Sequence, residues 1–239
     1  MSRPVRMLRR KFEVFCEGDT EYNYINHMRK KQGVEISLRP INMKGGGYAN
    51  FLNEIKTKGQ VNCLARFILV DADRITSNVG EDAAFLRLLE YCRQQNRKKA
   101  IPCFLILDNP DFEYVACLHA ADFSGQATEK FIRETMGFSS LSDFKRKEDI
   151  YEFLTSGAYQ YENMLKRLRV GRKALCNKYV IQRKSYSIKI TETIFNKADL
   201  AVRGSNLEEF WLNHFSCGMA SSQWRLMSMS FKKKYSSSG

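Results

Sequence analysis

The chain has no long apolar run and lacks several motifs that mark common enzyme classes. Its 239 residues contain no window approaching about 18 consecutive apolar residues, so we expect no transmembrane helix. The basic N-terminal segment runs directly into a predicted strand, without the apolar stretch of a signal peptide. No Gly-x-Ser-x-Gly supports Ser/His/Asp catalysis. The Gly-Gly-Gly at 45–47 lacks the Walker spacing, and we interpret it as a flexible turn.

Paired cysteines and histidines are also scarce. The seven cysteines are scattered singly with no Cys-x-x-Cys, and the three histidines are His27, His119 and His214. These patterns argue against a zinc site. Apolar neighbours of four cysteines indicate buried free thiols, which favours a reducing cytoplasm. His119 fits a core role at least as well as a catalytic one, because Phe112 and Val115 share its helical face.

The positive charge is large and unevenly distributed. The formal net charge is +13, and residues 139–239 carry 18 basic but only 9 acidic side chains. Between Asn163 and Thr191 there are nine Lys or Arg and no acid. This asymmetry favours a polyanion partner, with nucleic acid before an anionic membrane surface, while a merely well-solvated basic face is the alternative. The candidate nucleic-acid contacts are Lys166, Arg167, Arg169, Arg172, Lys173 and Lys178.

The periodicity of the first half predicts alternating strands and helices. Predicted strands cover 12–16, 35–41, 67–70 and 101–107. The predicted helices between and after them cover 20–31, with Thr20 as N-cap, and 48–58, 83–96 and 112–119. Four alternations of this kind predict an α/β fold with a parallel or mostly parallel sheet and helices on both faces.

The second half has a different pattern. Helical spacing covers 128–136, 141–154 and 159–179, and residues 205–215 open with a capping box, without a clear buried strand. We therefore predict an α/β domain at 10–122 and a basic, mainly helical region at 123–230 that packs on it. The tail at 231–239 is predicted to be disordered.

Acidic residues follow the predicted strands at the edge where a parallel sheet carries its functional crevice. Each acid has a simple explanation as a turn residue or a helix N-terminal charge. Together they are better explained by a cation, because clustered carboxylates repel one another. Oxygen ligands suit Mg²⁺, with Mn²⁺ as the alternative. The candidate metal ligands are Glu17, Glu21, Asp71, Asp73 and Glu113.

Several of these segments carry a resemblance to a known family. Glu17-Gly18 after a first strand and Asp71-x-Asp73 after a third are similar to the Toprim fold of topoisomerases, primases and OLD-type nucleases. The chain most resembles RloB-like proteins, over roughly residues 12–170. The segments that carry this likeness are Cys-Glu-Gly-Asp-Thr-Glu-Tyr-Asn-Tyr at 16–24, Val-Asp-Ala-Asp-Arg at 70–74, Asp-Asn-Pro-Asp-Phe-Glu at 108–113 with His119, and residues 143–154.

The sequence departs from the family pattern near its fourth predicted strand. The family commonly has Ser-Asn-Pro where this chain has Asp108-Asn109-Pro110, and Trp after Glu where this chain has Tyr114. Neither change touches the candidate metal ligands. They leave the roles of Asn109 and His119 open.

The resemblance implies a Toprim nuclease of prokaryotic antiphage defence that cleaves DNA or tRNA beside an ABC- or AAA-type ATPase partner. Glu17 is then general base or metal ligand, Asp71 and Asp73 are the principal Mg²⁺ ligands, and Glu21 and Glu113 complete a second site. Lys145 or Lys147 would stabilise charge on the phosphate. The alternative is a non-catalytic nucleic-acid-binding or sensor subunit of a defence complex. A homodimer stays open.

Overall fold

Strands and helices alternate through the first half of the chain. The computed structural model describes residues 11–31, 38–58, 63–98, 101–182 and 187–210. The elements of the first half are β1 (Lys11–Cys16), α1 (Asp19–Lys31), β2 (Leu38–Asn42), α2 (Gly47–Lys58), β3 (Cys63–Asp71), α3 (Asp73–Ser77), α4 (Glu81–Arg97), β4 (Cys103–Asn109) and α5 (Phe112–Cys117).

Four of the strands form a parallel sheet. The strand order is β2-β1-β3-β4, and the short strand β7 (Gly204–Ser205) adds an antiparallel neighbour to β4. All seven residues of β4 are buried, and β3 is buried over most of its length. Their continuous apolar runs are typical of strands covered on both faces. The predicted α/β class with a mostly parallel sheet is therefore confirmed.

Helices cover both faces of this sheet. On one face, Tyr24 of α1 and Phe112 of α5 pack in one core with strand residues such as Phe67 and Phe104. On the other face, α2 and α4 contribute Phe51 and other apolar side chains to a second core. Because side chains alternate along a strand, each buried strand supplies both cores.

The described part of the second half contains four short helices and a pair of antiparallel strands. Its elements are α6 (Thr128–Glu134), α7 (Leu141–Arg146), α8 (Ile150–Phe153), α9 (Tyr161–Val170), β5 (Leu175–Gln182), β6 (Ser187–Phe195), a 3₁₀ helix (Lys197–Ala201) and β7. The single helix predicted at 141–154 is wrong. It is interrupted because Lys147 adopts an extended conformation between α7 and α8.

The helix predicted at 159–179 is also wrong beyond Val170, because α9 ends there and the strand β5 begins at Leu175. Residues 175–181 alternate in burial, which is the period of a strand and not of a helix. β5 pairs antiparallel with β6 in a separate two-stranded sheet.

Side-chain amides form hydrogen bonds with the backbone of β4 along the part of its outer edge that β7 does not pair. The Leu105 carbonyl oxygen accepts hydrogen bonds from Asn177 Nδ2 and Asn206 Nδ2, both at 3.0 Å. The Leu107 amide donates to Asn206 Oδ1 at 2.9 Å. These amides satisfy backbone groups that a buried strand edge would otherwise leave unpaired. The pair of antiparallel strands is thereby docked on the sheet.

Some predictions extend beyond the described part of the chain. The start of the strand predicted at 35–41, the end of the helix predicted at 205–215 and the tail at 231–239 lie outside it. The domain limits at 10–122 and 123–230 stay a prediction. Within the five described ranges, no helix has both the length and the apolar character needed to cross a membrane.

His119 is a core residue. Its side chain is fully buried, its Nδ1 lies 3.0 Å from the Ala116 carbonyl oxygen, and its Nε2 lies 3.0 Å from the Tyr24 hydroxyl. Burial lowers the pKa of His119 to about 4, although hydrogen bonds to backbone carbonyls oppose the shift. A neutral imidazole with both nitrogens engaged explains this position without catalysis.

We expect the burial of His119 to lower the free energy of unfolding as the pH drops below about 6.5. Between that pH and about 4 the unfolded chain takes up a proton that the folded imidazole does not, so unfolding becomes easier by up to about 3 kcal/mol. Denaturant unfolding of the wild type and His119→Gln should therefore give stabilities that converge as the pH falls from 7 to 4. A constant difference across that range would contradict a neutral, buried His119.

Candidate functional site

Acidic side chains gather at the carboxyl edge of the parallel sheet. Glu17 follows β1 directly, Asp71 ends β3, and Asp108 is the penultimate residue of β4. Glu21 of α1 and Glu113 of α5 are buried beside them. We call these five residues the acidic edge. The convergence follows from topology, because parallel strands all end at the same side of a sheet.

Glu17 connects two strand ends. Its Oε2 accepts a hydrogen bond from the Asp71 backbone N–H at 2.9 Å, and its Oε1 lies 3.5 Å from Arg74 Nε. Its backbone carbonyl accepts the N–H of Gly45 at 2.8 Å. The side chain is only 8% exposed. Glu17 is therefore more than a turn residue, since it binds the end of β3 and the loop before α2.

Asp71 and Asp73 have different surroundings. Asp71 Oδ1 accepts the Phe112 N–H at 2.9 Å, and its backbone carbonyl accepts the Tyr48 hydroxyl. Ala72 has helical backbone angles, so the chain turns and Asp73 begins α3 with an exposed side chain. A bend therefore separates the two acids. It directs Asp71 toward the acidic edge and leaves Asp73 at the solvent-exposed rim.

Glu113 receives two donors from distant parts of the chain. The Thr20 hydroxyl donates to Glu113 Oε1 at 2.8 Å, and Lys145 Nζ lies 3.2 Å from Glu113 Oε2. Thr20 was predicted to be the N-cap of α1, but the helix begins one residue earlier and its hydroxyl turns to Glu113. Of the two predicted lysines, Lys145 therefore reaches the acidic edge.

Lys147 does not reach the acidic edge. Its Nζ lies 2.8 Å from Asp149 Oδ1 and 5.7 Å from the centre of the Phe153 ring. The extended backbone at Lys147, which interrupts the predicted helix, sends its side chain away from Lys145. We therefore remove Lys147 from the candidate site.

Burial and repulsion between carboxylates raise the pKa values of four acids, Glu17, Glu21, Asp71 and Asp108. Burial, with the charge of Glu113 next in importance, raises the pKa of Glu21 to about 8. Burial, and then the charges of Asp111 and Glu113, raise the pKa of Asp108 to about 7 against a hydrogen bond from Ser205. Burial and then the charge of Glu21 raise the pKa of Asp71 well above its usual range. The pKa of Glu17 is raised by burial, against the Asp71 N–H and Arg74.

The acidic edge has the chemistry of a magnesium site without assembled ligands. No three Asp, Glu, His or Cys side chains of the described residues are arranged to hold a metal ion. Several carboxylates are instead turned to protein donors. The donor set is nonetheless all oxygen, which suits Mg²⁺, and a divalent cation would offset the repulsion that raises these pKa values.

The glycine turn next to this edge binds the protein's own carboxylate. Gly47 has a φ of +76°, and a Cβ there would lie 2.5 Å from Glu81 Oε1. Glu81 Oε2 accepts the Tyr48 N–H at 3.0 Å, at the start of α2. Gly47 is thus required by a close approach of Glu81. The interpretation of residues 45–47 as a flexible turn, and not as a Walker loop, stays a prediction.

Asn109 has a structural role. Its Nδ2 donates to the Leu200 carbonyl at 3.0 Å and to the Val202 carbonyl at 2.7 Å. It thereby holds the segment that follows the 3₁₀ helix against the end of β4.

The basic segment is less free than its sequence indicates. Lys178 Nζ lies 2.8 Å from Glu192 Oε2, an Arg172 guanidinium nitrogen lies 2.6 Å from Asp199 Oδ1, and Lys173 pairs with Glu208. Arg167 donates to the Ala121 carbonyl at 2.7 Å. Lys166 and Arg169 are exposed on α9. The acids that pair with these cations come from later in the chain. The basic segment contains no acid of its own, but its surface is partly neutralised in the fold.

Three further residues at the site were not among the sequence candidates. Tyr48, Thr20 and Arg74 contact the ends of β3, α5 and β1 respectively. Arg74 had a signal, since it follows Asp73 directly. Tyr48 and Thr20 had none, because their partners are 23 and 93 residues away in sequence.

No known family model matches the chain, and no curated protein or solved structure matches it. Functional inference therefore rests on the acidic edge and on the motifs of the sequence.

Proposed function

We propose that this chain is an Mg²⁺-dependent nuclease that hydrolyses phosphodiester bonds in nucleic acid. The observation that carries the proposal is the convergence of carboxylates from β1, β3, α1 and α5 with Lys145 from a separate helix. Turn formation explains one or two such acids but does not explain four that are largely or fully buried together. The likeness of the strand-end motifs to RloB-like Toprim proteins supports the same activity.

The residues divide into metal-binding and charge-stabilising roles. Glu17, Asp71 and Asp73 would hold one ion, and Glu21 and Glu113 would complete a second site. Bound Mg²⁺ or Mn²⁺ supplies charge stabilisation on the phosphate and an acidified water. Burial raises the pKa of Glu17, and a carboxylate of raised pKa is a better proton acceptor, which fits Glu17 as general base.

Lys145 is the residue placed to stabilise charge on the phosphate. Its ammonium group is half exposed and lies against Glu113. Burial opposes its charge, but the pair with Glu113 and the charges of Asp71 and Glu21 together raise the pKa of Lys145. It therefore stays protonated at neutral pH and can meet a phosphate oxygen from the solvent side.

The substrate and biological setting are proposed from charge and resemblance. The basic surface fits DNA or tRNA. A role in prokaryotic antiphage defence, with control by an ABC- or AAA-type ATPase, rests on the RloB-like motifs alone. We propose a cytoplasmic protein, in keeping with free cysteines in the described part of the chain.

A non-catalytic nucleic-acid-binding or sensor subunit is the second candidate. It is favoured by one observation: Glu17, Asp71 and Glu113 each already bind a protein donor. Incubating the full chain with tRNA, single-stranded DNA and duplex DNA, each with Mg²⁺, Mn²⁺ or EDTA, separates the two. Cleavage that EDTA abolishes supports the nuclease, and binding without cleavage supports the second candidate.

Glu17→Gln should lose activity but keep its fold. Glutamine retains an oxygen for the Asp71 N–H and removes the charge, so we expect cleavage to fall about 10²- to 10⁴-fold. The melting temperature in EDTA should be unchanged or higher, because burial disfavours the charged form. Glu129→Gln, on the exposed surface of α6, is the matched control and should keep full activity. If Glu17→Gln unfolds, or cleaves at the wild-type rate, the role of Glu17 is structural and not catalytic.

Substitutions of Lys145 and Lys147 should have very different effects on the rate of cleavage. Lys145→Met removes the cation beside Glu113, and we expect a loss in kcat of about 10²- to 10³-fold with a smaller change in KM. Lys147→Met removes a cation that pairs with Asp149, so its kcat should stay within about twofold of the wild type. Steady-state kinetics of both variants on one substrate measure this. Equal losses in the two variants would refute the assignment of Lys145.

The salt dependence of binding should identify the contact surface. If Lys166 contacts a phosphate, Lys166→Gln should reduce the slope of log K against log salt on duplex DNA by about 0.9. Lys178→Gln is the control, because Lys178 already pairs with Glu192, and its slope should equal that of the wild type. Fluorescence anisotropy between 50 and 200 mM salt measures both. A slope that is unchanged in Lys166→Gln would place binding elsewhere.

A further inference from the structure

Asp108 is a buried carboxylate for which neither the fold nor the RloB-like motifs require a charge. It is the register partner of Asp71 on the neighbouring strand and is 0% exposed. Because side chains alternate along strands, Asp108 lies on the same sheet face as Phe104 and Ile106, the face that α1 and α5 cover. RloB-like proteins commonly have a serine at this position, so the resemblance assigns it no role.

Only one of the two Asp108 oxygens has a protein donor. Oδ1 accepts the Ser205 hydroxyl, and Ser205 Oγ in turn accepts the Leu207 N–H at 2.9 Å. Oδ2 is buried and has no hydrogen-bond partner among the residues that the structure describes. A buried carboxylate oxygen without a partner is costly, and proteins normally satisfy it with a donor or a cation.

The unpartnered oxygen belongs to the acidic edge and not to a separate polar pocket. The charges of Glu113 and Glu17 act on Asp108, and the charge of Asp108 acts in turn on Glu21 and Asp71. Asp111 is the other acid that faces it. Among the described residues, the side chains that act most strongly on Asp108 are thus Ser205 and neighbouring acids.

We propose that Asp108 is a further ligand of the divalent cation, through Oδ2, beside Asp71. The inference rests on the proposed function, because it assumes that a cation binds at the acidic edge. A cation there would give Oδ2 the partner it lacks. Ser205 would hold the other oxygen and orient the carboxylate, as outer hydrogen bonds to metal ligands generally do. Asp108 would then give this chain one more anionic ligand than the resemblance implies.

Metal binding tests the proposal without cleavage. Mn²⁺ binding to the full-length protein is measured by calorimetry and by the loss of the free-ion EPR signal. Asp108→Asn should weaken Mn²⁺ binding by at least about tenfold, and it should raise the melting temperature in EDTA because it removes buried charge. Ser205→Ala keeps the carboxylate but removes the hydroxyl that orients it, so we expect a measurable loss of Mn²⁺ affinity that is smaller than the loss in Asp108→Asn. Asp122→Asn, an exposed acid, should be unchanged.

The outcomes separate this inference from the proposed function. Wild-type protein that binds no Mn²⁺ would overturn both. Equal Mn²⁺ affinity in the wild type and Asp108→Asn would overturn the ligand role and leave the nuclease intact. Equal losses of Mn²⁺ affinity in Asp108→Asn and Ser205→Ala would show that Asp108 only connects β4 to β7 through Ser205. Asp108→Ser is the second variant and should behave as Asp108→Asn, and failure of both to fold would overturn the proposal in favour of a structural role.

Discussion

Repulsion between carboxylates at the end of a parallel sheet is the constraint on which this structure depends. Parallel strands end at one edge, and here that edge buries Glu17, Glu21, Asp108 and Glu113 under two helices. The protein offsets their charge in several ways: a backbone N–H on Glu17, the Thr20 hydroxyl and the Lys145 ammonium on Glu113, and the Ser205 hydroxyl on Asp108. The compensation is incomplete, as the raised pKa values of Glu21 and Asp108 indicate. An incompletely neutralised acidic site is suited to a cation.

The C-terminal half of the described chain completes the sheet and the site together. Asn177 and Asn206 satisfy backbone groups along the open edge of β4, and Ser205 reaches Asp108 from the same side. The residues that protect the edge of the sheet therefore also set the environment of one strand-end acid. Lys145 has a comparable double role, because the helix that carries it packs against α1 while its ammonium group reaches Glu113. Changes in this half are expected to affect the site although they lie far from its motifs in sequence.

The basic and acidic parts of the protein have complementary roles under the proposed function. Exposed cations such as Lys166 would attract a polyanion, and the acidic edge would hold the ion that contacts its phosphate. The basic surface is smaller than the sequence indicates, because Glu192, Asp199 and Glu208 pair with three of its cations. Affinity for nucleic acid is therefore expected to come from a few exposed side chains and from the metal site.

The sequence by itself determined the alternating strands and helices, the parallel sheet and the edge at which its acids lie. These follow from local periodicity and from the rule that parallel strands end together, so Glu17, Asp71 and Glu113 could be predicted. Only the tertiary structure decided which donors meet those acids, because Lys145 and Ser205 are brought to them by packing between segments distant in sequence. It also decided that β5 and β6 pair as antiparallel strands, because this pairing between separate segments satisfies backbone groups and is not revealed by any local pattern. Local patterns specify where charged groups lie on an element, and only packing specifies what neutralises them.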